Sequence, residues 1–443
     1  MSKPTLNLDG MTVDFDAGQS ILEVARSAGI HTIPTLCHLK DTTATGSCRM
    51  CMVEVEGART LLASCATAAN PGMVIRTESP RIDASRKMVL ELLLTSGNHN
   101  CKECEANGVC ELQALGSRYL VTPIAMNLRW HVSRILQALG NRHQAATHSL
   151  DTTYGLEDSN DFIRRDFSRC IKCGRCVRAC NEKQVNRAIS IGYRGAHNKI
   201  VTRADSTYDH SDCVSCGECV QACPVGALVE KKSMGLASWA YETQKVRTTC
   251  PHCGVGCQLW LHVKDGKIVK VTGVEGAAPN QGRLCIKGRF GYDFIYSPER
   301  LTMPLIKTNG EFRQASWDEA LDLVAAKLKE TIDRHGADAV AGVSGARSSN
   351  EDAYQMQKLL RAVIGTNNID HWSRTASTAA GLAATFGAGA MTNSFDDFAK
   401  AKMFLVIGSD MTEVHPVAAT FLKNAVGRDA QLIVVPARRR AFE

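Results

Sequence analysis

The chain has 443 residues, 44% of them hydrophobic, a formal charge of +7 and 19 cysteines. That length suits about three or four domains with buried cores, no apolar run reaches the ~20 residues of a membrane span, and Met1–Gly10 is no signal peptide. A soluble, cytoplasmic protein is expected, and in that reducing compartment nineteen cysteines argue for metal and against disulfides.

Residues 5–15 alternate apolar and polar around Asp9-Gly10, a hairpin signal. A helix follows, capped by Ser20 with Glu23 completing the capping box and Gly29 ending it. Cys37, Cys48, Cys51 and Cys65 come next, with gaps of ten, two and thirteen. Hairpin, helix and cysteine-bearing loop is the order of a β-grasp ferredoxin, with Gly46 and Ser47 letting the loop fold over a [2Fe–2S] centre; the plant-type first gap of four residues is here ten. Residues 82–95 read as a helix with Met88, Val89, Leu92 and Leu93 on its apolar side and Gly97 as its stop. His99-x-Cys101-x2-Cys104-x5-Cys110 follows. A lone histidine is usually a surface or core residue, but three cysteines lacking a fourth ligand favour a cubane in which a neutral imidazole replaces one thiolate. Val132, Ile135, Leu136 and Leu139 predict a short amphipathic helix, for packing on the ferredoxin domains or for docking.

Cys170-x2-Cys173-x2-Cys176-x3-Cys180 and Cys213-x2-Cys216-x2-Cys219-x3-Cys223-Pro224 are two bacterial ferredoxin runs. In such pairs the fourth cysteine of one run ligates the other cluster, so Cys170, Cys173, Cys176 and Cys223 form one [4Fe–4S] set and Cys213, Cys216, Cys219 and Cys180 the other. The competing readings, zinc sites or disulfides, do not need two complete runs. A further set is Cys250-x2-Cys253-x3-Cys257, completed after a gap of twenty-seven residues by Cys285 across a hairpin predicted at 259–263 and 267–271 around Asp265-Gly266. The cysteines divide into sets of four, three, eight and four with none left over; with His99 they suffice for one [2Fe–2S] and four [4Fe–4S] clusters. Thiolate-ligated clusters each add roughly one or two negative charges, so the basic excess balances bound cofactors and no nucleic-acid partner is expected.

From residue 301 onward strands and helices alternate, as for a parallel sheet. Ser316 and Glu319 form a capping box for a helix with Leu321, Val324, Ala325, Leu328 and Ile332 on one face and Gly336 at its end. Ala339–Val343, Met403–Ile407 and Leu432–Val435 are predicted strands, Asn350 caps a helix that Gly365 ends, and 408–416 sits at a strand's carboxyl end, where dinucleotide phosphates bind.

The first cysteine spacing resembles the N-terminal domain of the large iron–sulfur subunit of respiratory complex I and of NAD-linked formate dehydrogenases and iron-only hydrogenases. TCPHCGVGC…GRLCIKGRFG and FGAGAMTNS at 386–394 resemble molybdopterin-dependent formate dehydrogenases. The resemblance covers nearly the whole chain. It implies an α+β, modular fold: a β-grasp [2Fe–2S] domain (1–80), a His/Cys3 [4Fe–4S] domain (81–120), a helical linker (121–160), a twin [4Fe–4S] module (161–232), a [4Fe–4S] domain of molybdopterin-oxidoreductase type (246–302) and a partial α/β molybdopterin-type lobe (303–443). It places Lys287 where the family's lysine bridges cluster and pterin; a cation that tunes the cluster is the equal alternative. It also implies a molybdopterin holding molybdenum or tungsten.

Against that cofactor stand three departures. At 370–382 the family's metal-ligating cysteine or selenocysteine and its catalytic histidine are absent, His371 matching an earlier family position. Pro436 stands where an acid would hold a nucleotide hydroxyl, and catalytic members run to about twice this length. The expected function is an iron–sulfur electron-transfer subunit of a soluble NAD(P)-linked oxidoreductase complex, its own active site degenerate, partnered by a flavin/NAD-binding subunit and a small [2Fe–2S] subunit. The alternative is the catalytic alpha subunit of a formate dehydrogenase; a non-redox scaffold would not need five clusters.

Overall fold

The computed structural model describes residues 3–120, 154–236, 243–345, 347–371 and 377–435. The helix predicted at 132–139 and Pro436 lie outside these residues, as do 372–376 of the 370–382 stretch. The chain divides into two units, the first made of Met1–Val246, Trp260–Thr272 and Arg283–Arg289, the second of Arg247–Leu259, Gly273–Gly282 and Phe290–Glu443. Secondary structure is mixed α and β throughout.

In the first unit, β1 (Thr5–Leu8) and β2 (Met11–Asp14) form the predicted hairpin, with Asp9 and Gly10 both left-handed at its turn. Ser20 and Glu23 make the predicted capping box on α1 (Ile21–Ser27), whose buried Ile21, Leu22, Val24 and Ala25 enter the core. β3 (Met52–Val55), β4 (Leu62–Ala63) and β5 (Val74–Arg76) complete a five-stranded sheet of order β2-β1-β5-β3-β4, with β1 and β5 parallel. Leu6, Leu8, Phe15, Val53 and Ile75 pack with α1 beneath it.

α2 (Pro80–Thr95) starts at Ser79, whose side chain accepts from the Ile82 amide, and Pro80 suits the first turn. Its buried residues are Ile82, Arg86 and Leu90. The apolar side predicted from Met88 and Leu92 is corrected, since these are 64% and 61% exposed, while Val89 and Leu93 pack partly against a core with α3 (Glu111–Tyr119). The stripe was misplaced because its central buried member is an arginine, which hydrophobic periodicity does not count.

The twin cysteine runs sit on a three-stranded sheet in which Ile163–Asp166 pairs antiparallel with Leu156–Glu157 and Leu228–Glu230. The runs repeat one backbone path: Lys172 and Ser215 are left-handed, as are Gly174 and Gly217, which start the short helices Arg175–Arg178 and Glu218–Ala222. The hairpin strands Gln258–Lys264 and Lys267–Gly273 form as predicted, with left-handed Asp265 and Gly266 between them.

The second unit carries the long helix Trp317–His335, ended by left-handed Gly336 as predicted. Ser316 caps it, but the Glu319 carboxylate pairs with Arg313 at 2.5 Å instead of closing a capping box. Leu328 and Ile332 pack on Val340, Leu360 and Ile364; Leu321 and Val324 of the predicted face are exposed. The strand predicted at 339–343 is Gly342–Ser344, parallel to Ile369–His371, because Ala337–Ala339 forms a helical turn. Ser349, not Asn350, caps the next helix, and Gly365 ends that helical stretch as predicted. Met403–Ile407 pairs parallel with Gln431–Val435. Parallel sheets are ordinarily covered on both faces, yet Val343, Leu405 and Ile407 are 74%, 60% and 65% exposed.

Candidate metal centres

Cys37, Cys48, Cys51 and Cys65 come together in the first unit. The Cys37 amide donates to Cys48 Sγ at 3.4 Å and the Cys48 amide to Cys37 Sγ at 3.5 Å. Hydrogen bonds from the Cys48 and Cys65 thiols hold the Cys37 thiol well below its ordinary range, and one from Cys65 brings Cys51 down to about 6. Cys48 and Cys65 are pushed up by donating those bonds and by burial. Left-handed Gly46 lets the loop pass close, since a β-carbon there would lie 3.3 Å from Ala66 Cβ. Four nearly buried sulfurs in mutual contact can all become thiolates only around a cation.

His99, Cys101, Cys104 and Cys110 line one cavity of about 330 Å³. Burial, with the Arg169 charge as a secondary cause, lowers the His99 pKa to about 4, while burial raises Cys110 to about 11. The imidazole is therefore neutral at physiological pH, the form that binds metal. His99→Cys should keep four ligands but add negative charge and so lower the potential of one redox wave; a titration identical to that of the native protein would remove His99 from the ligand set.

Cys223 lies with the first run and Cys180 with the second. Cys170, Cys173, Cys176 and Cys223 line one cavity of about 460 Å³, and Cys180, Cys213, Cys216 and Cys219 line another of about 330 Å³. Their loops match in detail: the Lys172 amide donates to Cys170 Sγ and the Ser215 amide to Cys213 Sγ, both at 3.4 Å. Burial pushes Cys173 and Cys216 up to about 12 and Cys223 to about 11. Among the described residues no three His, Cys, Asp or Glu side chains converge on the point that a single metal ion would occupy; these cysteines line cavities wider than an ion. Buried Tyr208, which the sequence reading missed, lies with its hydroxyl 3.9 Å from Cys219 Sγ, beneath the Arg165 guanidinium. Hydrogen bonds to cluster sulfurs are one of the levers on potential.

Cys250, Cys253 and Cys257 fall in the second unit and Cys285 in the first, so the trio and the single residue are described separately. The trio's loop is closed by the Cys250 amide on the Cys257 carbonyl at 2.8 Å and braced by Arg347 Nε on the His252 carbonyl at 3.1 Å. Cys285 precedes the helix Ile286–Phe290, which carries Lys287. At 408–416, the Asp410 carboxylate accepts from the Thr412 hydroxyl and the Glu413 amide. An acid already occupies the helix N-terminus expected to receive a phosphate.

The comparisons follow this order of sites. Residues 3–80 match a 2Fe–2S iron–sulfur cluster binding domain, 86–124 the NADH-ubiquinone oxidoreductase-G iron–sulfur binding region, and 169–227 a 4Fe–4S dicluster domain. Residues 243–297 match the molybdopterin oxidoreductase Fe4S4 domain and 300–442 molybdopterin oxidoreductase. The chain resembles the N-terminal half of a molybdopterin-type formate dehydrogenase. YrhE of Bacillus subtilis (strain 168), whose name assigns it provisionally to formate dehydrogenase, is 32% identical over 98% of this chain and 46% of its own length. A like-named protein of Staphylococcus aureus (strain USA300) is 31% identical over 95% of this chain and 44% of its own. The chain thus spans about half the length of the curated relatives it matches. Among solved structures, a chain of an NAD+-reducing [NiFe]-hydrogenase in the H2-reduced state is 32% identical, with a TM-score of 0.43 over 52% of this chain and 88% of that one. This formate dehydrogenase-like chain therefore carries iron–sulfur domains of both 2Fe–2S and 4Fe–4S type joined to a molybdopterin-oxidoreductase domain, and no described helix is long and apolar enough to cross a membrane.

Proposed function

We propose that the chain is the iron–sulfur electron-transfer subunit of an NAD(P)-linked oxidoreductase complex, standing between a flavin/NAD-binding subunit and a second redox site. The observation that carries this reading is the sorting of the cysteines: three of the sets drawn from spacing, the His99 set and the two twin sets, line three separate cavities of the first unit. The N-terminal sheet and helix serve as a β-grasp domain in which Cys37, Cys48, Cys51 and Cys65 hold a [2Fe–2S] centre. His99 with Cys101, Cys104 and Cys110, the two crossed twin sets, and Cys250, Cys253, Cys257 with Cys285 hold four [4Fe–4S] centres. When bound, such clusters take up and return single electrons. The protein supplies the buried thiols, the amide donors to their sulfurs and the exclusion of water. A small [2Fe–2S] subunit and a cytoplasmic setting belong to the same reading.

Iron analysis of anaerobically purified protein tests it. About eighteen irons per chain are expected, two for the binuclear centre and four for each cubane, with almost no zinc. Iron near eight with stoichiometric zinc would instead assign several sets to zinc.

The rival reading, a formate-oxidising catalytic subunit, draws support from the names of the relatives and from the match at 300–442. Against it, every cysteine is claimed by a proposed cluster and none falls at 370–382 to hold molybdenum or tungsten. Either metal near one per chain, with formate reducing the clusters, would establish the rival.

A further inference from the structure

A buried arginine joins the twin module to the N-terminal cysteine loop. Arg178 lies on the short helix after Cys176 and is 6% exposed. Its guanidinium donates to the Cys37 carbonyl, to the Thr43 carbonyl at 2.8 Å, to the Cys173 carbonyl at 3.3 Å and to the Gly174 carbonyl at 3.4 Å. One side chain thus holds main-chain oxygens of a cysteine in the first set and of a cysteine in the first twin set. Among the described residues its acceptors are all carbonyls and no carboxylate pairs with it. An uncompensated buried cation is costly, and the groups on either side of it are those that would surround anionic clusters.

Arg289, at the other twin set, is held differently: its side chain stays within one run and its charge is met by a carboxylate. Its amide donates to the Cys285 carbonyl at 3.0 Å, and its side chain donates to the Cys216 carbonyl at 2.7 Å, Gln221 Oε1 at 2.8 Å and Glu218 Oε2 at 2.9 Å. Both Arg289 and Glu218 are fully buried. The same turn is held by Gln184 Nε2 on the Leu284 carbonyl at 3.1 Å and by Arg283 Nε on the Lys183 carbonyl at 3.2 Å. Lys183 and Gln184 follow Cys180, another member of that twin set.

We propose that Arg178 is a junction residue: its side chain binds the main chain of a cysteine on both sides of the boundary between the Cys37 set and the Cys170 set, fixing the sets relative to each other and placing a permanent positive charge between them. The proposal rests on reading the cysteines as cluster ligands. A guanidinium does this better than an ammonium, because its planar fork reaches several carbonyls at once without losing charge. As a positioning residue, Arg178 acts on both neighbouring sets together, which an ordinary core arginine would not do.

The test uses the full-length holoprotein with Arg178→Gln and, as the charge-keeping variant, Arg178→Lys. In Arg178→Gln the loss of a fixed cation should move the redox waves of both the Cys37 set and the Cys170 set to more negative potential together. In Arg178→Lys, which keeps the charge but loses the fork, both waves should stay near native. Amide exchange at 37–48 should nevertheless speed by about tenfold, the effect of losing a net hydrogen bond. Full iron with both waves unmoved in the Gln variant, or with only one moved, overturns the junction role while leaving the cluster reading intact. Native protein lacking iron at these sets overturns the cluster reading itself.

Discussion

Arg86→Ala is expected to be the most destabilising single change outside the cysteines. Arg86 is 0% exposed and donates to the Thr77 carbonyl at 3.0 Å, the Met52 carbonyl at 3.3 Å and Tyr119 Oη at 3.2 Å. Its guanidinium also lies 5.6 Å from the centre of the Tyr119 ring. One side chain on α2 therefore ties the end of β5, the start of β3 and the end of α3. Removing it strands two carbonyls and a phenol and opens a cavity, costing about 3–5 kcal/mol by analogy with other buried charged groups. For a unit of this size that should lower the thermal midpoint of the holoprotein by roughly 10 °C. Asp83, 3.9 Å away and half-exposed, adds little. Scanning calorimetry that finds Arg86→Ala within a degree or two of the native midpoint would show that this contact set is dispensable.

Gly226→Ala is expected to empty one metal centre while leaving the others filled. A β-carbon on Gly226 would stand 2.5 Å from Cys104 Sγ and 3.3 Å from Ala106 Cβ. A free cysteine could rotate away, but a sulfur bound to a cluster cannot. Gly226 follows Cys223 by three residues, so the added methyl group pushes the His99 set from the side of the twin module. Loss of about four irons, one cubane, is predicted, together with the redox wave that His99→Cys shifts. Native iron content in Gly226→Ala would mean that Cys104 is free to move and is not a ligand.

What the sequence made legible was whatever depends on short separations along the chain. Cysteine runs, the Asp9-Gly10 and Asp265-Gly266 turns, the Ser20/Glu23 box and the Gly336 and Gly365 stops are local, and the structure reproduces them. Cys223 lines the first run's cavity and Cys180 the second's, a placement that two matched runs sharing one backbone path would give. Side-chain partners chosen at long range were not legible. Arg86, Arg178 and Arg289 look like any of the 52 basic residues, and only their burial shows which carbonyls they hold. Glu319 illustrates the same limit at short range: the pattern fits a capping box, but Arg313 is a better partner for the carboxylate. The strand begins at Gly342 because Ala337–Ala339 closes a helical turn, and the close approach of Leu360 Cδ1, 2.1 Å from where a β-carbon at 342 would stand, needs a glycine there; neither shows in an apolar run.

The exposed apolar face of the second unit has a consequence for how a cell manages this protein. Leu405, Ile407, Ile433 and Val435 lie open on a parallel strand pair, with Val343 open on another. Surface of that kind is what chaperones and proteases recognise, and a chain that shows it is cleared faster than one in which it is covered. Whatever polypeptide covers the face lowers that loss by mass action. The steady-state amount of this iron–sulfur oxidoreductase-like chain should therefore rise with the extent to which that face is covered.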